Sequence, residues 1–172
     1  RTNLVRYAAS HTQHMQKALI QMNVLLHNVV SDITGVTGMR IIHAILEGER
    51  NPHVLAQMRD KRCKNSIETI EKSLEGNYRA EHIFSLKQAV EGFEFYQAQI
   101  AVCDAQIEAH LATFESVAKD DAVSTSEKKK PTKRRRSEPP FNLQSELHRV
   151  TGVDLTRINS ISTTTAMIVI SE

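Results

Sequence analysis

Residues 31–52 read SDITGVTGMRIIHAILEGERNP, and this stretch decides how the chain folds. Gly35 and Gly38 bracket a short turn, and an apolar run leaves it at residues 39–42. Because glycine adopts positive φ at no steric cost, two glycines so close together predict a sharp reversal between two helices. The first N–H groups of the second helix would then face outward, where they can meet a phosphate. In the alternative interpretation the glycines serve only the geometry of a corner between packed helices.

Helices are predicted on both sides of this turn. Apolar residues recur at alternating spacings of four and three over residues 2–31, which predicts one amphipathic helix there. Asn51 and Pro52 predict a new helix start, since asparagine suits the N-cap and proline suits the first helical position. A charged helix is predicted over residues 66–74.

The longest predicted helix covers residues 79–118, roughly 60 Å by the rise of an α-helix. Its apolar seam, with three-four spacing, is Ile83, Leu86, Val90, Phe93, Gln97, Ile100, Asp104, Ile107, Leu111 and Phe114. Gln97 and Asp104 interrupt the seam, and polar residues at such positions can fix register and partner number. So long a helix needs a packing partner, either the first helix or a second copy of the chain. The predicted fold class is all-α, a helical hairpin with a long coiled-coil helix.

Composition agrees with a helical, cytosolic protein. The 172 residues include four prolines, six glycines and no tryptophan, and the net charge of +2 is too small to indicate a nucleic-acid partner by itself. Cys63 and Cys103 fit no zinc knuckle, redox pair or disulfide framework, so both are predicted to be reduced thiols. No apolar run reaches the roughly 18–20 residues that span a bilayer. Both ends fall inside patterned segments, which indicates an internal piece of a longer protein.

Residues 119–140 change composition completely, and their few apolar residues and dense charge predict a disordered basic linker. Seven cations occupy nine positions there: Lys128, Lys129, Lys130, Lys133, Arg134, Arg135 and Arg136. Such a block favours any polyanion, because each neutralised phosphate releases counterions. We therefore expect a nucleic-acid contact, the alternative being a solvated linker without a ligand.

Order is predicted to resume at Phe141, and residues 158–166 follow the frame of a helix–hairpin–helix motif. That motif has an apolar residue, a Gly–apolar–Gly turn and a packed alanine four residues on. The turn residues here are Ser160, Ile161, Ser162 and Thr163. Turn amides of this kind approach phosphates closely and give affinity without reading sequence. Serine at both glycine positions either obstructs that approach or assists it through the hydroxyl, and an ordinary helix corner is the alternative.

The sequence contains no recognisable catalytic constellation. Glu68, Glu71 and Glu75 lie on helix faces beside lysines, as solubilising surface groups do. His11 and His14 share a helical face but have no third ligand, so no metal site is predicted. A Gly-rich phosphate loop, a nucleophile elbow and an HExxH motif are all absent from the sequence. We expect no catalytic residue and no cofactor in this chain.

Six blocks of the sequence are informative when taken in order: His14-Met15-Gln16-Lys17-Ala18-Leu19, residues 31–44, Gly48-Glu49-Arg50-Asn51-Pro52, Arg62-Cys63-Lys64, Phe95-Tyr96-Gln97-Ala98-Gln99-Ile100 and Thr151-Gly152-Val153-Asp154-Leu155. Together they resemble bacterial insertion-sequence transposases of the insertion sequence 110/116/902 family. They cover most of residues 4–117 and resume at Phe141, and the linker matches only in being basic. Family members usually have glycine where Ser160 and Ser162 stand.

The resemblance implies the middle segment of a DNA transposase. Such enzymes cut and rejoin DNA with four acidic residues, spelled DEDD, in a RuvC-like domain and with a serine in a C-terminal transposase domain. On that template the acidic quartet and its divalent metal, Mg²⁺, lie before this chain and the serine lies after it. Residues 1–118 are then the helical coiled-coil region, residues 119–140 the linker, and residues 141–172 the beginning of the C-terminal domain.

The function implied by the resemblance is subunit assembly and nucleic-acid backbone binding during DNA transposition. The implied partners are DNA, an element-encoded guide RNA and a second copy of the chain paired through the coiled coil. No membrane is implied, and the expected location is the bacterial cytoplasm, at the nucleoid. The rival interpretation is a non-catalytic coiled-coil interaction protein with no nucleic-acid role.

Overall fold

A computed structural model describes residues 1–117 and 138–171, and every regular element in these ranges is a helix. The α-helices are α1 Thr2–Gln21, α2 Leu26–Val29, α3 Val36–Leu46, α4 Pro52–Gln57, α5 Ile67–Ser73, α6 Ala80–Ala112, α7 Leu143–Thr151 and α8 Thr163–Ser171, with a 3₁₀ helix at Leu155–Arg157. The predicted all-α class with one long helix is confirmed. The seven cations of residues 128–136 lie outside the described residues, as does most of the predicted linker.

The chain forms two compact units, and the boundary between them lies inside α6. One unit is Thr2–Gln99, and the other is Ile100–Glu172 together with Arg1. The first unit contains α1 to α5 and the beginning of α6, and the second contains the end of α6 with α7 and α8. The predicted domain limits at residues 118 and 140 stay a prediction.

α1 ends at Gln21, so the predicted continuous helix over residues 2–31 is wrong beyond that point. Asn23 has a left-handed backbone with φ of 58°. The N–H of the next residue, Val24, donates to the carbonyl oxygen of Leu19 at 2.9 Å, and Val24 and Leu19 are both fully buried. A left-handed residue, this hydrogen bond and a buried apolar pair together form a Schellman cap, which satisfies carbonyls at a helix end.

Backbone hydrogen bonds join residues 22–25, which follow α1, to residues 73–77, which precede α6, and we call this connection the clasp. The Asn77 N–H donates to the carbonyl oxygen of Met22 at 2.7 Å, and a second backbone hydrogen bond of 2.8 Å joins the two segments. Gly76 lies against the same Met22 oxygen, which an added Cβ would approach to 2.6 Å. This clasp holds the end of α1 beside the start of α6.

α1 packs against α6 within the first unit. His11 lies over Gly92, where an added Cβ would come within 2.6 Å of the ring Nδ1. The His11 ring stacks on Tyr96 with centroids 5.5 Å apart, and the Tyr7 ring lies 5.3 Å from Tyr96. Glycine at residue 92 therefore makes room for the His11 ring, and α1 is a packing partner of the long helix.

The seam of α6 is buried at Leu86, Val90 and Phe93, as its periodicity predicts. Gln97, which was assigned to the seam, is exposed, and Tyr96 contacts α1 instead. Asp104 and Leu111, seven and fourteen residues after Gln97 on the same seam, are buried again, so the departure from the predicted seam at Gln97 is local. Burial of these residues does not require a second copy of the chain, so the homo-oligomer stays a prediction.

In the second unit the end of α6 packs on the C-terminal helices. The core there consists of Leu111, Leu143, Leu147 and Ala166, with the partly buried Ile107, Phe141, Val150, Leu155, Ile161 and Met167 around it. Asp104, the second polar break in the seam, is 3% exposed and accepts hydrogen bonds on both oxygens from Arg1, one of them 3.1 Å long. A partner within the same chain thus accounts for this buried carboxylate.

α6 ends at Ala112, so the prediction that it continues to residue 118 is wrong. Arg149 of α7 explains the ending, since its guanidinium donates to the carbonyl oxygens of Leu111 and Phe114 at 2.6 and 2.7 Å. The last carbonyls of a helix have no partner within it, and a cation near them also suits the helix dipole. The end of α6 is therefore set by a residue far away in the sequence.

Two predicted helix starts are confirmed where they depend on local capping. The Asn51 side chain accepts a hydrogen bond from the His53 N–H at 3.0 Å, and Pro52 is the first residue of α4. The Ser66 hydroxyl accepts one from the Thr69 N–H at 3.2 Å, at the start of α5. These polar side chains replace carbonyl partners that the first turn of a helix lacks.

Candidate nucleic-acid interface

The turn at residues 35–38 positions the N-terminus of α3. Gly35 is the N-cap, with φ of −76° and ψ of 175°, and the helix begins at Val36. The N–H groups of Val36, Thr37 and Gly38 precede the first intrahelical hydrogen bond, so this end of the helix has a partial positive charge. Val36 is 49% exposed, which leaves this end of α3 accessible to solvent.

Gly38 has a packing role in the turn. An added Cβ would lie 2.5 Å from the carbonyl carbon of Ile33 and 2.7 Å from its Cα. These are backbone atoms, which cannot rotate away as a side chain can. The structure thus gives Gly38 the role of a close-packed helix corner, and phosphate binding at Gly35 and Gly38 stays a prediction.

A surface groove of about 430 Å³ opens at this helix N-terminus. It is lined by Asn28, Val29, Val30, Ser31, Asp32, Gly35, Val36, Thr37, Asp60, Arg62, Cys63, Lys64 and Asn65. Two hydrogen bonds join its walls: Asn65 Nδ2 donates to the carbonyl oxygen of Val29 at 2.6 Å, and the Asp60 N–H donates to Thr37 Oγ1 at 2.9 Å. The groove is therefore built from segments that are distant in sequence and held together by specific bonds.

Residues 59–64, Arg-Asp-Lys-Arg-Cys-Lys, form a basic loop at the edge of the groove. Arg59 stabilises the loop, because its guanidinium donates to two backbone carbonyl oxygens at 2.8 and 3.3 Å. The other three cations of the loop, Lys61, Arg62 and Lys64, are exposed. One arginine thus shapes the loop while the remaining cations face solvent.

The carboxylate of the basic loop, Asp60, is paired with Arg62. Asp60 Oδ1 accepts hydrogen bonds from the backbone N–H and the Nε of Arg62, both at 2.9 Å. These bonds, aided by the charges of Arg62 and Arg40, lower the pKa of Asp60 from 3.8 to about 2. Asp32 on the opposite wall accepts two hydrogen bonds within its own turn. Arg62 and Lys64 line the groove with these two carboxylates, and the charge of Arg40 also acts on Asp60.

The local charge pattern does not identify Lys61 and Lys64 as binding residues. Four cations within residues 59–64 are a local signal, but an aspartate and a cysteine interrupt them. Only the fold places this loop beside the N-terminus of α3, which precedes it in the chain. The positive charge of this loop indicates a binding site only when its position beside the N-terminus of α3 is known.

The second predicted hairpin is a turn between the 3₁₀ helix and α8. Ser160 has φ of 70°, in the left-handed region that favours glycine. Ser162 is used as a cap, since its Oγ accepts a hydrogen bond from the Thr165 N–H at 3.1 Å. Ala166 is 1% exposed, in the place where the motif has its packed alanine. Phosphate binding by this turn, including Ile161, stays a prediction.

The predicted binding residues belong to different compact units of the chain. Gly35 and Gly38 belong to the first compact unit, and the turn at residues 160–163 belongs to the second. The turn at Gly35 lies instead with the basic loop, which shares the groove with it.

Within residues 1–117 and 138–171, no group of three His, Cys, Asp or Glu side chains could hold a metal ion. The divalent metal implied for a catalytic domain therefore has no ligand set in the part of the chain that the structure describes. Cys63 and Cys103 are free thiols. A search of the same ranges finds no helix that combines the length and the apolar character needed to cross a membrane.

Comparisons with known protein-family models, curated proteins and solved structures gave no match to this chain.

Proposed function

We propose that this chain is the assembly and nucleic-acid-holding middle segment of a DNA transposase, and that it binds a phosphate backbone at the groove beside α3. The observation that carries the proposal is the basic loop folded against the N-terminus of that helix. Arg62 and Lys64 of that loop line the groove together with Gly35, Val36 and Thr37 at the N-terminus of α3.

Two kinds of anion binding are available side by side in this groove. The N–H groups at a helix N-terminus donate to phosphate oxygens. The lysines and the arginine neutralise phosphates and release their counterions. Arg62 binds Asp60 through Nε, and its side chain is 84% exposed, so its terminal nitrogens remain accessible to solvent. None of these contacts reads a base edge, and binding is therefore independent of sequence.

The transposase assignment is supported by the ordered blocks of resemblance, one of which, Arg62-Cys63-Lys64, lies in the basic loop. In such an enzyme the acidic quartet with Mg²⁺ and the catalytic serine come from flanking regions. This segment would then hold DNA, or the guide RNA of the element, and contribute to subunit assembly at the bacterial nucleoid. Its own residues supply affinity and position rather than bond cleavage.

Filter binding of short duplex DNA over a series of salt concentrations tests the binding half of the proposal. The variant R62Q/K64Q should lower the slope of log affinity against log salt by about 1.8, since each phosphate contact on duplex DNA contributes about 0.9. The matched control is K72Q/R79Q, which removes one lysine and one arginine at exposed positions outside the groove and should leave the slope unchanged. Neutralising the seven cations of residues 128–136 should lower the slope further.

Two outcomes would count against this function. Equal slopes for the two double variants would remove the groove as the binding site. A parent protein without any salt-dependent DNA binding would favour the rival, a coiled-coil interaction protein. The transposase half has a separate test in the flanking reading frame, where an upstream domain with strand-borne acidic residues and a downstream domain with a serine are expected.

A further inference from the structure

The exposed face of α1 contains no carboxylate. Residues on this face recur at spacings of three and four, which places them along one side of the helix. They are Asn3, Arg6, Ser10, Gln13, His14 and Lys17, all exposed. The whole helix lacks Asp and Glu, and within the described residues neither Arg6 nor Lys17 forms an ion pair. A helix surface of cations and neutral hydrogen-bonding groups is complementary to a polyanion.

Aromatic rings border this face where α1 meets α6. The Tyr96 ring lies 5.3 Å from Tyr7, 5.3 Å from Phe95 and 5.5 Å from His11. His11 in turn lies 5.7 Å from His14, so five rings are in continuous contact. The inner rings, His11 and Tyr96, are partly buried and pack the helices together. The outer rings are far more open, with Tyr7 43% and Phe95 57% exposed.

Two carboxylates of α6, Glu91 and Glu94, are close in sequence to these rings, and Glu91 has a cationic partner. Glu94 Oε1 lies 3.0 Å from His43 Nε2, and Glu91 lies 3.8 Å from the Lys87 ammonium. The Arg6 guanidinium lies 5.8 Å from the centroid of the Tyr7 ring. An exposed ring beside an uncompensated cation offers two contacts to one nucleotide, a base stack and a phosphate pair.

We infer that the acid-free face of α1, with the rings of Tyr7 and Phe95 at its border, is a second binding surface, and that its ligand is a single-stranded polynucleotide. Single strands are favoured because their bases are free to stack on protein rings, whereas the bases of a duplex are already stacked on one another. Arg6 and Lys17 would follow the phosphates along the helix. This surface is separate from the groove at α3 and differs from it in the form of nucleic acid that it binds.

Fluorescence anisotropy with the full chain tests this inference, with three labelled probes: an oligouridylate, an oligothymidylate and a DNA duplex of equal length. The variant F95A should lose between about fivefold and a hundredfold in affinity for the single strands, which is the effect of one lost base stack. Its salt slope should not change, because stacking releases no counterions. The variant R6Q should lower the slope for single strands by about 0.7.

The controls separate a binding role from a structural one. The variant F84A removes an exposed ring of the same helix, 61% exposed and outside the ring cluster, and it should bind all probes like the parent. The variant F95Y keeps a stacking ring and should restore single-strand affinity. Tighter binding of the oligouridylate would identify RNA as the ligand, and tighter binding of the oligothymidylate would identify single-stranded DNA.

The inference is overturned if F95A and Y7A bind both single-stranded probes as F84A does. It is equally overturned if the loss in F95A is the same for the duplex as for the single strands. Neither result depends on the groove, whose variant R62Q/K64Q is measured on duplex DNA. The two surfaces can therefore fail or succeed separately.

Discussion

Substitution of Gly38 by alanine should destabilise the protein, although alanine is normally the better helix residue. In an unhindered helix interior this change stabilises by about 0.5–1 kcal/mol. Here the added Cβ would lie 2.5 Å from the carbonyl carbon of Ile33 and 2.7 Å from its Cα, so the backbone of the turn must move. Overpacking of this kind costs about 1–3 kcal/mol, and contact with backbone atoms places it at the upper end. The net loss expected is about 2 kcal/mol.

Urea and thermal unfolding followed by far-ultraviolet circular dichroism measure this effect. For a chain of this size, a loss of about 2 kcal/mol lowers Tm by roughly 4–8 °C. The matched control is Gly92→Ala in the same compact unit, where the nearest atoms belong to the His11 ring. That ring is the end of a side chain and can shift, whereas the Ile33 backbone cannot, so the control should lose less stability than Gly38→Ala. A Gly38→Ala variant as stable as the parent would refute the close-packed corner and would reopen a purely ligand-binding role for this glycine.

Further predictions concern the turn before α8, the end of α6 and the basic loop. Ser160→Gly should stabilise the protein by about 1 kcal/mol by relieving the left-handed serine, and Ser162→Ala should destabilise it by a similar amount through loss of the α8 cap, both read from urea midpoints. Arg149→Gln should cost about 1–3 kcal/mol and speed amide hydrogen exchange in the last turn of α6; unchanged exchange there would argue against the capping role. The hydrogen bonds from Arg62 to Asp60 stabilise the folded state at pH values above 3.8. This contribution is lost as the pH falls from 3.8 through about 2, because Asp60 becomes protonated. Arg62→Gln should raise the pKa of Asp60 towards 3.8, seen by nuclear magnetic resonance of its carboxyl carbon, and a pKa that stayed near 2 would contradict the Arg62 bond as its cause.

Features that depend on neighbouring residues could be predicted from the sequence. The helix starts at Asn51 and Ser66 follow from side-chain caps that reach only the next few residues. The buried part of the α6 seam follows from three-four periodicity, because helical geometry places such residues on one face. The all-α class can be predicted from the same two local effects, side-chain capping and three-four periodicity.

Features that depend on distant contacts could not be predicted in this way. Apolar residues continue past Asn23, so periodicity gives no sign that α1 ends there. The end of α6 depends on Arg149, which comes from another helix. The basic loop becomes a candidate site only because folding brings it to the N-terminus of α3. The ends of α1 and α6 and the position of the basic loop all depend on tertiary contacts, which no local pattern encodes.

The clasp between residues 22–25 and 73–77 has a consequence for the topology of the first unit. Hydrogen bonds join the two segments directly. The stretch of chain that contains α2 to α5 therefore begins and ends at the same place, beside the α1–α6 pair. Residues 26–72 are therefore an insertion between the two arms of a helical hairpin. The insertion is nevertheless part of the buried core, since it supplies Ile41, Ile42, Ile45, Leu55 and Ile70, all of them fully buried. The topology thus separates the groove and basic loop from the two arms along the chain, while the stability of the unit depends on burial in both parts.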